Sequence, residues 1–202
     1  MRPGPSTAKL VAWLPSRRAW LQTATVAAMG GVIGRAYGAD VSVPVKLQSV
    51  LIGKVAAFDR AFRARSGSTA RLIVVYKDGD SARVGHQIAN ALEEMPDVGG
   101  LPKAVEQLPW SGPAALASAV RARPTALVYL SLGLEEHAAA IAAALAGTDV
   151  LTVGATGRIA ERGACVGFEL EEGRPRIYVN LAVAKAQKVD FRAELLRLVK
   201  LV

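Results

Sequence analysis

Between residues 46 and 64, apolar side chains return every three or four positions: Leu47, Val50, Leu51, Val55, Phe58 and Phe62. Alanine, lysine and arginine fill the gaps. That period predicts an amphipathic helix, and Ser66-Gly67-Ser68 breaks it. The pattern then changes. Arg71-Leu72-Ile73-Val74-Val75-Tyr76 is continuously apolar and rich in β-branched residues, as a strand covered on both faces requires. Asp78-Gly79-Asp80-Ser81 turns the chain and offers side-chain caps to a helix over 81–95, which Pro96, Gly99 and Gly100 end. A short strand over 104–108, a helix over 113–122 after Ser111-Gly112-Pro113, and a second buried-type strand over 125–130 follow. An alanine-rich helix over 134–145 stops at Gly147, and Val150-Leu151-Thr152-Val153 forms a fourth short strand.

The repeated order of strand, turn and helix predicts a parallel sheet with helices on both sides. Beyond it, strands at 164–170 and 176–180 are joined by Glu171-Glu172-Gly173-Arg174-Pro175, a link of hairpin length. Helices near 181–187 and 191–200 close the chain, the last with Phe191, Leu195, Leu198 and Val199 as its apolar stripe. The expected fold class is α/β: one three-layer domain, its sheet largely parallel, ending in a β-hairpin plus helix.

The segment before residue 40 reads differently. Ser16-Arg17-Arg18-Ala19-Trp20-Leu21-Gln22 has the paired arginines, aromatic residue and leucine of a twin-arginine export signal. The weakly apolar run Thr23–Gly34 follows, shorter than the ~20 residues of a membrane-spanning helix. Small residues close the segment at Ala36-Tyr37-Gly38-Ala39. Residues 1–39 are therefore expected to be a signal peptide carried by Arg17, Arg18, Trp20 and Leu21, cut after Gly38 or after Ala39. An uncleaved membrane anchor is the competing reading. The working unit is then 40–202, in the periplasm.

Removing the leader changes the charge. The chain has 25 Lys+Arg against 17 Asp+Glu, a net +8, but five of the bases and none of the acids precede Asp40. Twenty bases against 17 acids leave +3, without the dense basic face that nucleic-acid binding needs. Cys165 is the only cysteine, which excludes an internal disulfide and multi-cysteine zinc sites.

Candidate chemistry is sparse. In a doubly wound sheet the turns after strands hold the ligand. Here they are Lys77-Asp78-Gly79-Asp80-Ser81, Ser131-Leu132-Gly133 and Gly154-Ala155-Thr156-Gly157. Main-chain N–H groups at the helix starts could receive an anion, with Ser81 or Thr156 adding a hydroxyl; the same residues equally suit plain capping and turning. Asp78, Gly79, Asp80, Ser81, Gly154, Thr156 and Gly157 are thus the candidate ligand residues. No dinucleotide fingerprint, P-loop or nucleophile elbow is present. His86 and His137 each stand alone on a helix, and no calcium loop surrounds Asp78 and Asp80. Adjacent pairs such as Glu93-Glu94 and Glu135-Glu136 diverge on a helix. Cys165 opens a strand, where cysteine behaves as a small apolar residue. No catalytic residue, metal or cofactor is expected, and the chain is not expected to be an enzyme.

The last fifty residues carry a resemblance. Asp149-Val150-Leu151-Thr152-Val153-Gly154, the segment from Ile159 to Phe168, Gly173-Arg174-Pro175-Arg176-Ile177-Tyr178-Val179-Asn180-Leu181, and Leu195-Leu196-Arg197-Leu198-Val199 occur in the order typical of the YfiR/HmsC family of exported bacterial proteins. The chain is similar to that family over about 47–202. Two features depart from it. Some members carry paired cysteines, which one cysteine cannot reproduce. The family's aromatic-rich first helix is replaced by Ile52-Gly53-Lys54-Val55-Ala56-Ala57-Phe58-Asp59-Arg60. The resemblance implies a periplasmic binding protein that contacts and restrains the sensor of an inner-membrane signalling protein, a diguanylate cyclase or a histidine kinase. It also implies a homodimer. The competing class is a periplasmic small-molecule receptor, like one lobe of a solute-binding protein, with its site in the post-strand turns.

Overall fold

An uninterrupted run such as Leu72–Val75 is stable as a strand only where both of its faces are covered, and this one lies second from one edge of a seven-stranded sheet. The computed structural model describes residues 43–202. The expected leader, with Arg17, Arg18, Trp20 and Leu21 and both cleavage positions, lies outside the described residues.

The described chain runs α1 (Val45–Phe58), α2 (Phe62–Ser66), β1 (Ala70–Tyr76), α3 (Asp80–Glu94), β2 (Lys103–Pro109), α4 (Pro113–Ala122) and β3 (Leu127–Leu130). A 3₁₀ turn (Glu135–His137) leads into α5 (Ala138–Leu145), followed by β4 (Leu151–Gly154), α6 (Gly157–Arg162), β5 (Val166–Glu171) and β6 (Arg174–Val179). The closing elements are α7 (Leu181–Ala186), α8 (Ala193–Leu196) and β7 (Lys200–Leu201). Strand order is β2-β1-β3-β4-β5-β6-β7. β1 to β5 pair in parallel, β6 returns antiparallel to β5, and β7 pairs parallel to β6. The right-handed rule for parallel crossovers places α3 and α4 on opposite faces; α1 packs with α3, and α5 and α6 follow α4 in succession. This is the expected three-layer α/β domain, with β3 and β4 buried along their whole length.

Several expectations need correction. The helix expected over 46–64 is two helices. At Phe58–Arg60 the backbone leaves helical geometry because residues 190–192 claim it. Arg192 N–H donates to Phe58 O, Arg60 N–H donates to Asp190 O, and Asp59 bridges Phe191. The buried face of α1 is also displaced from the expected stripe: Gln48, Ser49, Ile52, Val55 and Ala56 face inward, and Val50 faces out. Gln48 is admitted to the core because its amide is matched, donating to Val43 O (2.7 Å) and accepting from the Tyr129 hydroxyl (2.7 Å).

The helix expected over 191–200 shrinks to the single turn α8. Residues 200–201 instead extend the sheet, Lys200 opposite Tyr178 and Leu201 opposite Val179. Of the expected stripe Phe191 and Leu195 are buried, and Leu198 is exposed. Helix α6, between β4 and β5, has too few residues to show a period in the sequence. The side-chain caps expected for α3 do not form; its N-cap is Gly79, and the Ser81 hydroxyl accepts the Lys77 N–H instead.

Candidate functional site

In the order 2-1-3-4-5 the winding reverses between β1 and β3, and the crevice outside their carboxyl ends is where open α/β sheets place ligands. Two serines close the floor of that crevice. Ser131, fully buried at the end of β3, donates from its hydroxyl to Ser81 O (2.7 Å), and Ser81 Oγ accepts Lys77 N–H (2.9 Å). Trp110, immediately after β2, donates its N–H to Tyr76 O (2.7 Å) and so continues the sheet past the ends of the strands.

Above this floor runs a row of side chains. Lys77 Nζ lies 3.0 Å from Glu136 Oε1, His137 Nε2 lies 3.4 Å from the same oxygen, and the Trp110 and His137 rings stand 5.1 Å apart at 30°. The Lys77 ammonium holds the Glu136 carboxyl below its usual range. Glu135 and Glu136 do diverge: Glu135 turns to Thr156, 3.5 Å from its hydroxyl. Trp110 and the Lys77–Glu136 contact were not singled out from the sequence. The available signal was an aromatic residue at the carboxyl end of a strand; the 59-residue separation of Lys77 and Glu136 carries none.

The candidate ligand residues lie at the carboxyl ends of the parallel strands, Asp78, Gly79, Asp80 and Ser81 after β1 and Gly154, Thr156 and Gly157 after β4. The Ser131-Leu132-Gly133 turn stands between the two groups. Asp80 pairs with Arg83 on its own helix at 3.1 Å. Gly154 permits close packing, since a Cβ there would stand 2.5 Å from the Ile159 side chain. At Gly157 a Cβ would meet Glu169 Oε2 at 2.6 Å. That carboxylate accepts the Gly157 N–H (3.2 Å), so an internal anion sits at the start of α6.

Away from these carboxyl ends are two buried polar groups. Cys165 has its Sγ 3.1 Å from Gln187 Oε1 and its N–H donating to Thr152 Oγ1 (2.9 Å); burial pushes its thiol up to about 11. At that value it is a weak nucleophile at neutral pH. Asp59 and Arg65 form an ion pair at 2.7 Å with both side chains buried. Asp59 also accepts the N–H groups of Ala61 and Asp190, and Arg65 Nε reaches Asp149 at 3.1 Å. Burial raises the Asp59 carboxyl, and Arg65 opposes the shift. His86 contacts the Tyr76 ring and the Gln107 side chain. Among the described residues no three His, Cys, Asp or Glu side chains are grouped to hold a metal ion.

Comparison with known proteins adds to this geometry. A structure described as the ABC domain in complex with L-Trp from Streptococcus pneumonia superposes with a TM-score of 0.57 at 9% identity, covering 79% of this chain and 62% of that one. A conserved domain protein from Vibrio cholerae gives 0.53 at 15% identity, covering 80% of this chain and 60% of that one. At such identities the likeness is one of fold, and the chain spans about three-fifths of each solved structure. No curated protein matches significantly. The family model described as YfiR/HmsC-like matches residues 46–200.

Proposed function

Because the chain belongs to the YfiR/HmsC-like family, a family of periplasmic regulators, we propose that it restrains an inner-membrane signalling protein by binding that protein's periplasmic sensor. The partner is of the diguanylate cyclase class, or a histidine kinase with a similar sensor. The family match across 155 residues, from 46 to 200, is the observation that carries this reading. The mechanism is a population shift: the regulator binds one arrangement of the sensor better than the other and holds it there. The same reading includes twin-arginine export, cleavage after Gly38 or Ala39, a periplasmic 40–202 product without catalytic activity, and a homodimer.

A tagged chain incubated with detergent-solubilised membranes is expected to recover a sensor-bearing membrane protein, and deleting its gene is expected to raise cyclic-di-GMP. Recovery of soluble proteins alone, with the nucleotide level unchanged, overturns the proposal.

A second reading, a small-molecule receptor, is favoured by one observation: the turn at Asp78–Ser81 follows β1, beside the winding reversal between β1 and β3, with Gly154–Gly157 one strand further along after β4. A metabolite bound there would raise the unfolding temperature by mass action in the absence of any partner.

A further inference from the structure

Four of the five large apolar side chains exposed among the described residues lie at one edge of the sheet: Leu181 (40%), Leu198 (71%), Leu201 (51%) and Val202 (42%). Leu201 lies in β7 and Val202 follows it, while Leu181 opens α7 directly after β6 and Leu198 shortly precedes β7. Leu201 is in register with Val179, Val202 N–H donates to Val179 O (3.0 Å), Leu181 follows Val179 by two residues, and Leu198 precedes Lys200 by two. The charge is uneven in the same place. Residues 40–170 hold 13 bases and 13 acids, and residues 171–202 hold seven bases and four acids, so the whole +3 surplus falls in this terminal part. Arg197 directly precedes Leu198, and Lys185 stands one turn after Leu181 on α7, where i,i+4 side chains share a face; both bases are exposed.

We propose that this edge rests on an anionic lipid surface, with Leu198, Leu201 and Val202 entering the headgroup boundary and Arg197 and Lys185 meeting the phosphates. Protruding apolar side chains beside basic ones are the composition that binds such surfaces. Two features favour lipid over a protein strand or pocket. The β7 ladder is two residues long, too short for a partner strand to gain much by adding to it. The leucines project, and the clefts beside α1, α4 and the 3₁₀ turn are lined by other residues, so a deformable surface suits them better than a preformed groove. This goes beyond the regulatory reading, and either can fail without the other.

Flotation of the full-length chain with phosphatidylglycerol–phosphatidylethanolamine vesicles, against phosphatidylcholine vesicles, tests it. Residues 1–42 are common to every variant, so differences report the edge. Leu198→Ser and Arg197→Glu are each expected to lower partition into the anionic vesicles by ~10-fold, and raised salt to do the same. Their unfolding temperatures should match the parent, since both side chains are exposed. Equal partition of parent and variants, or equal binding to phosphatidylcholine, overturns the proposal. So does unchanged vesicle binding by Leu198→Ser together with weakened binding to a purified sensor domain in solution, which would make the edge a protein-docking surface.

Discussion

Asp59 and Arg65 are fully buried, and their ion pair joins the α1–α2 elbow to the residues around Asp190 and to Asp149. A buried pair of this kind adds little net stability, because desolvation offsets the attraction, but removing one member leaves an uncompensated charge. Arg65→Met should therefore destabilise by about 3–5 kcal/mol. The loss should depend on pH in a defined direction. Without Arg65, desolvation holds the folded carboxyl of Asp59 above its unfolded value, so the folded state keeps its proton longer. Stability then falls as pH rises through that range. Urea denaturation at pH 5 and pH 8 checks this: the variant should lose more at pH 8. Equal loss at both values would mean that Asp59 gains solvent in the variant. The sequence offered an aspartate and an arginine six positions apart within one apolar period; their contacts with Asp149 and with residues 188–190 are remote in sequence and carry no local signal.

Among the strands, β7 is the shortest, two residues long. Lys200 Nζ reaches Glu171 Oε1 (3.1 Å) and the Tyr178 hydroxyl (3.0 Å), and Tyr178 donates to the same carboxylate (2.6 Å). The Tyr178 and Lys200 donors keep the Glu171 carboxyl below its ordinary value, and the Tyr178 hydroxyl and Glu171 carboxylate that accept from Lys200 push its ammonium up to about 12. A carboxyl whose folded value is depressed stabilises above its unfolded value, and the contribution is lost as pH falls through the folded one. Protection of the Val202 amide against hydrogen exchange, corrected for intrinsic rate, should drop as the solution is acidified below the usual carboxylate range. Glu171→Gln should show the lower protection at neutral pH and little further change. A pH-independent protection factor in the parent would remove Glu171 from this role. This element was illegible in the sequence because Leu195, Leu198 and Val199 satisfy a helical period, and two ladder residues cannot compete with it by pattern alone. In contrast α3, α4 and β1 were legible to within a residue or so, since each has a local period or a β-branched run bounded by glycine or proline. The post-strand turns at Asp78–Ser81 and Gly154–Gly157 were legible for the same local reason. The row of Trp110, His137, Glu136 and Lys77 above them was not, because it exists only once β2, β1 and β3 lie side by side.

At the scale of the molecule, a single apolar cluster runs from Val43 to Leu195, which predicts one cooperative unfolding unit. Cys165 is placed to test this. It is the only thiol in the chain and it is fully buried where the parallel strands meet the terminal hairpin. Its contacts reach Thr152 on β4 and Gln187 beyond α7, one on each side of that junction. A thiol reagent can reach it only if the two sides separate, and burial keeps the thiolate scarce at neutral pH. If the sheet opens as one body, labelling measured across a urea series should share its midpoint with the loss of far-ultraviolet circular dichroism. If β6, α7 and β7 come away first, labelling should lead the spectral change. Coincident midpoints are expected, because Phe168, Val179 and Ala184 belong to the same apolar cluster as β3 and β4 and cannot leave without exposing it. Labelling at denaturant concentrations where the spectrum is still native would divide the molecule at the β4–β5 pairing, which is the narrowest point of the sheet with one register pair, Val153 opposite Val166.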